Sequence, residues 1–241
     1  MKKSLAVAAI GLTVGFGLVG STQADERAWA WSPLGIGLAA PIQLPFMESD
    51  VYGIRIGGLT GINHDVYGLD CGVAEISTGN FAGIQAAAFT WTEGCAYGLQ
   101  VGSFANVVRE SEIGLQVASV NAVWGDAIGI QLGTVNYNGS YAGLQVGGLI
   151  NWNNGLSWGC EIAPVNANQD EFVGGAIGAL VNYSEKFRGC GIGLVNVAYE
   201  MTGCQLGLVN ACDNLHGVQI GLVNLICNSK LPIMIIANAS F

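Results

Sequence analysis

Apolar residues alternate with small or polar ones along most of this chain. In Gly98-Leu99-Gln100-Val101-Gly102 and again in Gly203-Cys204-Gln205-Leu206-Gly207, every second residue is apolar. A period of two places successive side chains on opposite faces of an extended strand, so one face is aliphatic and the other is mostly glycine and glutamine. Two glycines in each run, together with β-branched valine and isoleucine, disfavour a helix. The pattern predicts short strands throughout, with the aliphatic face turned to the core.

These strands are copies of one phrase. Gly203-Cys204-Gln205-Leu206-Gly207-Leu208-Val209-Asn210 is followed, after six residues, by Gly217-Val218-Gln219-Ile220-Gly221-Leu222-Val223-Asn224. Aligned on the first glycine, the phrase recurs at Gly53, Gly68, Gly83, Gly98, Gly114, Gly129, Gly143, Gly159, Gly174, Gly189, Gly203 and Gly217, about twelve units spaced 14 to 16 residues apart. Four positions after each anchor the residue is always small: Gly133, Gly147, Gly193, Gly207 and Gly221 are examples, and Ala87, Ala118 and Ala163 are the exceptions to glycine. Two after the anchor, glutamine recurs, as at Gln85, Gln100, Gln116, Gln131, Gln145, Gln205 and Gln219. Seven or eight after it, asparagine runs through consecutive units from Asn106 to Asn196, Asn210 and Asn224.

A period this regular implies a repeat architecture. The favoured fold is all-β, a parallel β-solenoid of about twelve 15-residue coils. Equivalent residues then stack about 4.8 Å apart; leucine and valine columns are expected to fill the interior, and asparagine and glutamine columns to form amide ladders. A closed coil needs at least two bends. Asparagine, which tolerates the left-handed conformation, is expected to supply one of them. The alternative is an antiparallel meander closing into an outer-membrane barrel, because a strand of about 10 residues plus a turn also consumes one unit. Neighbouring units do not alternate in character as a meander's would, which weighs toward the solenoid. The alternating Ile233, Ile235 and Ala237 before the terminal Phe241 weigh toward the barrel.

The cysteines separate the two folds. Cys190 and Cys204 each follow their anchor by one residue, and Cys212 and Cys227 follow theirs by nine and ten, in consecutive units. In a solenoid each pair lies on adjacent coils, within disulfide range. In a meander Cys212 and Cys227 fall toward opposite rims.

Outside the array, residues 1–24 have the form of a secretory signal peptide. Lys2 and Lys3 precede an apolar run from Leu5 to Val19, and Thr22-Gln23-Ala24 is a small-x-small cleavage site. Export through the Sec pathway is the expectation, to the cell surface, outer membrane or periplasm. Residues 25–50, rich in tryptophan and proline, are expected to form a lead-in and cap, residues 51–228 the repeat array, and residues 229–241 a carboxy-terminal cap. An open repeat end leaves core and backbone unpaired, which is why caps are expected.

The net charge is −9 and only 10% of residues are charged. An acidic chain lacks the basic patch that phosphate binding needs, so nucleic acid is not an expected partner. Charge runs such as Arg109-Glu110-Ser111-Glu112, Gln169-Asp170-Glu171 and Ser184-Glu185-Lys186 read as solvated turns. His64 and His216 lie in or beside turns with no nucleophile or base at motif spacing. Gly189-Cys190-Gly191-Ile192-Gly193 has the look of a nucleotide loop but belongs to the repeat columns. No Cys-x-x-Cys pair or aspartate-rich calcium nonapeptide occurs. No catalytic residue, cofactor or metal is expected, and the chain is read as a non-enzyme.

The tandem phrase, the leader and the ending from Leu231 to Phe241 resemble bacterial surface-repeat proteins of diderm bacteria, which carry Gly-Leu-Gln-x-Gly-Leu-Val-Asn units. The resemblance covers residues 51–241. It implies an envelope or surface location and brings no catalytic residues; the expected function is a structural or interaction role, the alternative an outer-membrane barrel or channel. Arg55 and Asp70 stand where the phrase has glutamine, and Thr60 and Ile76 depart from the asparagine position. The implied partner is an unidentified surface or envelope component, or further copies of the chain; the outer membrane is one candidate location.

Overall fold

The computed structural model of the chain describes residues 31–240; the leader and the first residues of the lead-in lie outside them. The described chain is strand with connecting turns: β1 (Trp31–Ala39), β2 (Ile42–Leu44), β3 (Asp50–Gly57), β4 (Thr60–Asn63), β5 (Val66–Cys71), β6 (Ala74–Ser77), β7 (Phe81–Thr92), β8 (Ala96–Val108), β9 (Glu112–Val117), β10 (Val120–Asn153), β11 (Ser157–Ile226) and β12 (Ile233–Ser240). The last long elements, β10 at 34 residues and β11 at 70, are extended chain wound through several successive coils.

Every pairing between repeat units is parallel and in register with the phrase. Gly53 pairs Gly68, Gly68 pairs Gly83, Gly83 pairs Gly98, and the column continues through Gly114 and Gly129. The fold is therefore a β-solenoid, and the antiparallel barrel is excluded. The cysteines agree. Cys190 and Cys204 are joined by a disulfide with Cα atoms 4.7 Å apart, and the Cys227 amide donates to the Cys212 carbonyl at 2.9 Å.

The phrase bends at two places, and asparagine is at neither. All twelve anchor glycines have positive φ, from +121° to +154°. There the bend brings each anchor from Gly68 on against the carbonyl of the anchor one coil earlier, and Gly53 against that of Pro33, so a Cβ would overlap that oxygen. The second bend lies five and six residues after the anchor, where two successive side chains both point outward, as at Ser103-Phe104 and Ser119-Val120. Register shifts between neighbouring coils fall at this corner, between Ala87 and Phe89 and between Val146 and Ile150. Units with an extra residue absorb it there, so asparagine keeps its column whether seven or eight residues from the anchor. The asparagines are strand residues pointing inward. Among the described residues the one non-glycine with positive φ is Ile236.

The ends differ in sense. β1 adds to β3 in parallel, and β2 folds back antiparallel on β1. β12 pairs antiparallel with the last coil, from Gly217↔Ser240 to Leu225↔Ile233, and so covers an edge that would otherwise offer unpaired backbone groups.

Candidate functional site

Behind the phrase the interior is polar where the alternation predicts aliphatic packing, and apolar side chains such as Val66, Phe81, Phe172 and Met201 fill the rest of the core. Gln85, Gln100, Gln116, Gln131 and Gln145 are buried, as are all nine asparagines from Asn106 to Asn224. The leucines, isoleucines and valines between them point outward. Alternation divides residues between two faces without saying which face is inside; the hydrogen-bonding capacity of stacked amides decides it.

Each amide finds an identical partner one coil away. The asparagine Nδ2 groups donate toward the carboxy-terminal end: Asn121 to Asn136 at 2.9 Å, Asn136 to Asn151 at 2.8 Å, and on through Asn196, Asn210 and Asn224 at 2.8 Å. The second N–H goes to the carbonyl three residues past the next anchor, as from Asn196 to Leu206 at 3.0 Å. The glutamine ladder runs the other way: Gln100 donates to Gln85, Gln116 to Gln100, Gln131 to Gln116 and Gln145 to Gln131, all at 2.8–2.9 Å. Gln219 donates to Gln205 at 2.9 Å. Across the coil, Gln131 and Asn138 exchange two hydrogen bonds of 2.9 Å. A buried amide costs several kcal/mol if unpaired and little if fully paired, so ladders make this interior affordable.

The small-residue column faces the asparagines. A Cβ on Gly147 would come 2.6 Å from Asn151 Oδ1, and one on Gly133 2.8 Å from both Asn121 Nδ2 and Asn136 Oδ1. On Gly193, Gly207 and Gly221 it would meet the previous coil's carbonyl and asparagine together. Alanine is accommodated at Ala87, Ala118 and Ala163; these glycines serve close approach rather than unusual φ.

Arg55 and Asp70 stand in the glutamine column and replace an amide pair with an ion pair. Arg55 Nε and Nη2 donate to the two Asp70 oxygens at 2.7 and 2.6 Å, and Gln85 donates to Asp70 at 2.7 Å, so the ladder ends on this carboxylate. Glu75 Oε2 lies 3.1 Å from Arg55. Burial, then the Asp70 charge, pushes the Glu75 carboxyl up to about 8 despite Arg55. A neutral Glu75 leaves the cluster with one cation and one anion.

Two more acids are inside. Glu112 belongs to the column two residues before the anchor, with Ala96 and Ala127 on either side. It is a correction to the solvated reading of its charge run. Desolvation pushes its carboxyl up to about 8. Glu161 takes the glutamine position and accepts from Asn153 at 2.8 Å and Asn168 at 2.9 Å; burial raises it to about 7 even so. Folded-state values above the ordinary 4.5 mean that the folded chain holds more protons than the unfolded one from about pH 4.5 to 8. Stability is therefore fullest below that window and falls as pH rises through it, by up to about 1.4 kcal/mol per unit for each group. Thermal melts are expected to move down from pH 5 to 8.5, and Glu112→Gln to flatten the slope and raise the pH 8 melting temperature. A pH-independent melt of the wild type would remove these protonated acids.

The two histidines do not come together, and His64 groups instead with Asp50 and Asp65, their ligand atoms within 4.8 Å of one another. His64 Nδ1 lies 3.1 Å from Asp50 and 3.6 Å from Asp65 on an exposed turn, and His216 is exposed. The Gly189–Gly193 stretch is ordinary coil, with Cys190 in the disulfide.

The feature left is the outer surface. Outward side chains one, three, five and six residues after the anchor form four columns, and no unit places a charged residue in any of them. Leu208 and Leu222, at the corner, are 54% and 64% exposed. Phe89 and Phe104 stack there with ring centroids 5.2 Å apart. In cross-section the coil is a wedge whose corner and two flanks are free of charge and mostly apolar, with Ser103, Ser119 and Thr134 at the corner of the middle coils and amides behind them. Exposed charges gather at the opposite edge, as in Glu93, Arg109, Glu110, Asp170, Glu185, Lys186 and Glu200. Among the described residues no helix is long and apolar enough to cross a membrane. Periodicity marked these aliphatic residues but assigned them to the core. No family model, curated protein or solved structure matches the chain.

Proposed function

We propose that this chain is a non-enzymatic, exported repeat protein of the bacterial cell envelope or surface, with a structural or interaction role. The observation that carries the reading is the charge-free apolar face repeated on every unit. Monomeric soluble proteins rarely expose contiguous apolar patches beyond a few hundred Å², and larger ones mark interaction surfaces. The amide ladders support a structural role, since the stacked asparagines and glutamines bond to their counterparts one coil away. The leader-like residues 1–24 and the likeness of the phrase to bacterial surface-repeat proteins support export. On this reading residues 25–50 and 229–241 cap a module formed by residues 51–228, and no cofactor or nucleic acid takes part.

The test is fractionation of the native host with mass spectrometry of the intact protein. The expected result is a chain beginning at Asp25, recovered with the envelope. Recovery from the cytosol with Met1 retained overturns the proposal.

A further inference from the structure

We infer that the apolar wedge docks edge-first on the surface of a lipid bilayer, the solenoid axis lying in the membrane plane. The inference rests on the envelope interaction role proposed above and names the partner.

Three properties of the surface select lipid. The first is its polarity profile across the coil. Charge is absent from the corner and both flanks and appears from ten residues after one anchor to one before the next, so polarity rises away from the corner as it does from hydrocarbon to water. Where flank meets charged edge, tryptophan and tyrosine recur. Tyr52, Tyr97 and Trp158 immediately precede their anchors on one side; Trp91, Tyr137 and Trp152 lie eight or nine after theirs on the other. Both side chains favour the membrane–water boundary, where one end is apolar and the other wet.

The second is shape and area. Twelve coils about 4.8 Å apart make a strip roughly 55 Å long. Six residues of extended chain at about 3.3 Å each make it roughly 20 Å around, on the order of 1,000 Å². A standard protein interface takes about 800 Å² from each partner, so the strip as a whole is large enough for a second copy. Its corner and flanks face different directions, however, and one flank carries an open apolar groove along Ile162, Ile177, Ile192 and Leu206; two copies would meet along one flank each, leaving the corner and the other flank in water. A fluid hydrocarbon phase covers all of them together.

The third is the backbone. Along the strip each coil's N–H and C=O groups pair with the coils before and after it. An immersed structure must satisfy its backbone internally; the parallel stack does so along the flanks, and at the corner, where the register shifts, the Ala88 and Phe89 amides share the Val73 carbonyl. The binding is apolar, since a net charge of −9 is repelled by anionic headgroups.

Vesicle flotation of the native protein tests this, with phosphatidylcholine vesicles and with vesicles in which a third of the lipid is phosphatidylglycerol. The protein is expected to float with phosphatidylcholine, independently of salt, and less well with the anionic mixture. Leu208→Asp together with Leu222→Asp should cut the floated fraction about tenfold while leaving the far-ultraviolet circular dichroism unchanged. Should that variant misfold, quenching of wild-type tryptophan fluorescence by brominated phosphatidylcholine decides instead, and strong quenching is expected. A folded protein that neither floats nor is quenched overturns the inference. So does a lipid-independent dimer in light scattering that the two aspartates dissociate, which assigns the wedge to a second copy. Either failure leaves the envelope proposal standing if fractionation supports it; a cytosolic location defeats that proposal separately.

Discussion

Gly129→Val is expected to abolish the folded solenoid rather than merely loosen it. Gly129 sits at φ +137°, a region that costs a non-glycine residue about 1–3 kcal/mol. Its Cβ would also overlap the Gly114 carbonyl oxygen and lie 2.9 Å from that carbonyl carbon. The oxygen cannot withdraw, because the Gly114 coil is held in the same way by Gly98. Relief on the other side is blocked too, since Gly143 rests on the Gly129 carbonyl. Strain and overlap together should exceed about 4 kcal/mol, which is exceptional for one substitution and large beside the 5–15 kcal/mol of a whole domain. The neighbouring Ile130→Val, on the outward face, should change stability by roughly 0.5 kcal/mol or less. Circular dichroism melts of the two variants are the measurement. If the Gly129 variant melts like wild type, the anchor column is not what closes the coil.

Arg55→Met is the second large effect, expected to destabilise by about 3–5 kcal/mol. Removing one member of a buried ion pair leaves an uncompensated charge, which costs more than the pair contributes. Here Asp70 would remain fully buried with Gln85 as its remaining side-chain donor, and Glu75 would lose the cation beside it. The double substitution Arg55→Gln with Asp70→Gln should recover most of the loss, since it extends the glutamine ladder by two rungs in the column where both residues already sit. Urea unfolding of the single and double variants separates an electrostatic role from simple packing. A single variant as stable as wild type, or a double variant no better than the single, would contradict it.

Much of the fold was legible because a repeat reports its own stacking. Units of 14 to 16 residues with the same anchor, the same small position and the same amides can satisfy one another only if equivalent residues are neighbours. That argument reached the parallel solenoid, the ladders and the adjacency of Cys190 with Cys204 and of Cys212 with Cys227. It also placed Arg55 and Asp70 in the glutamine column, where they turned out to be bonded to each other. It failed at asparagine, whose turn preference was outweighed by the two hydrogen bonds its side chain makes inside a straight segment. It failed at Glu112 as well: a charge run looks solvated, yet the strand's alternation carries one of its acids inward.

By itself the sequence determined the period, the strand character, the parallel neighbours and the columns. A period of two sorts side chains into two sets, and a period of 15 stacks each set, without reference to anything beyond the local chain. The tertiary structure decided which set is inside. An amide column can be buried once identical coils lie above and below to take its donors and acceptors, a condition no single strand contains. With the amides turned in, the leucines, isoleucines and valines that alternate with them were left facing out, while others such as Val51, Val66, Val123 and Leu215 stay in the core; the surface proposed to meet lipid exists for that reason.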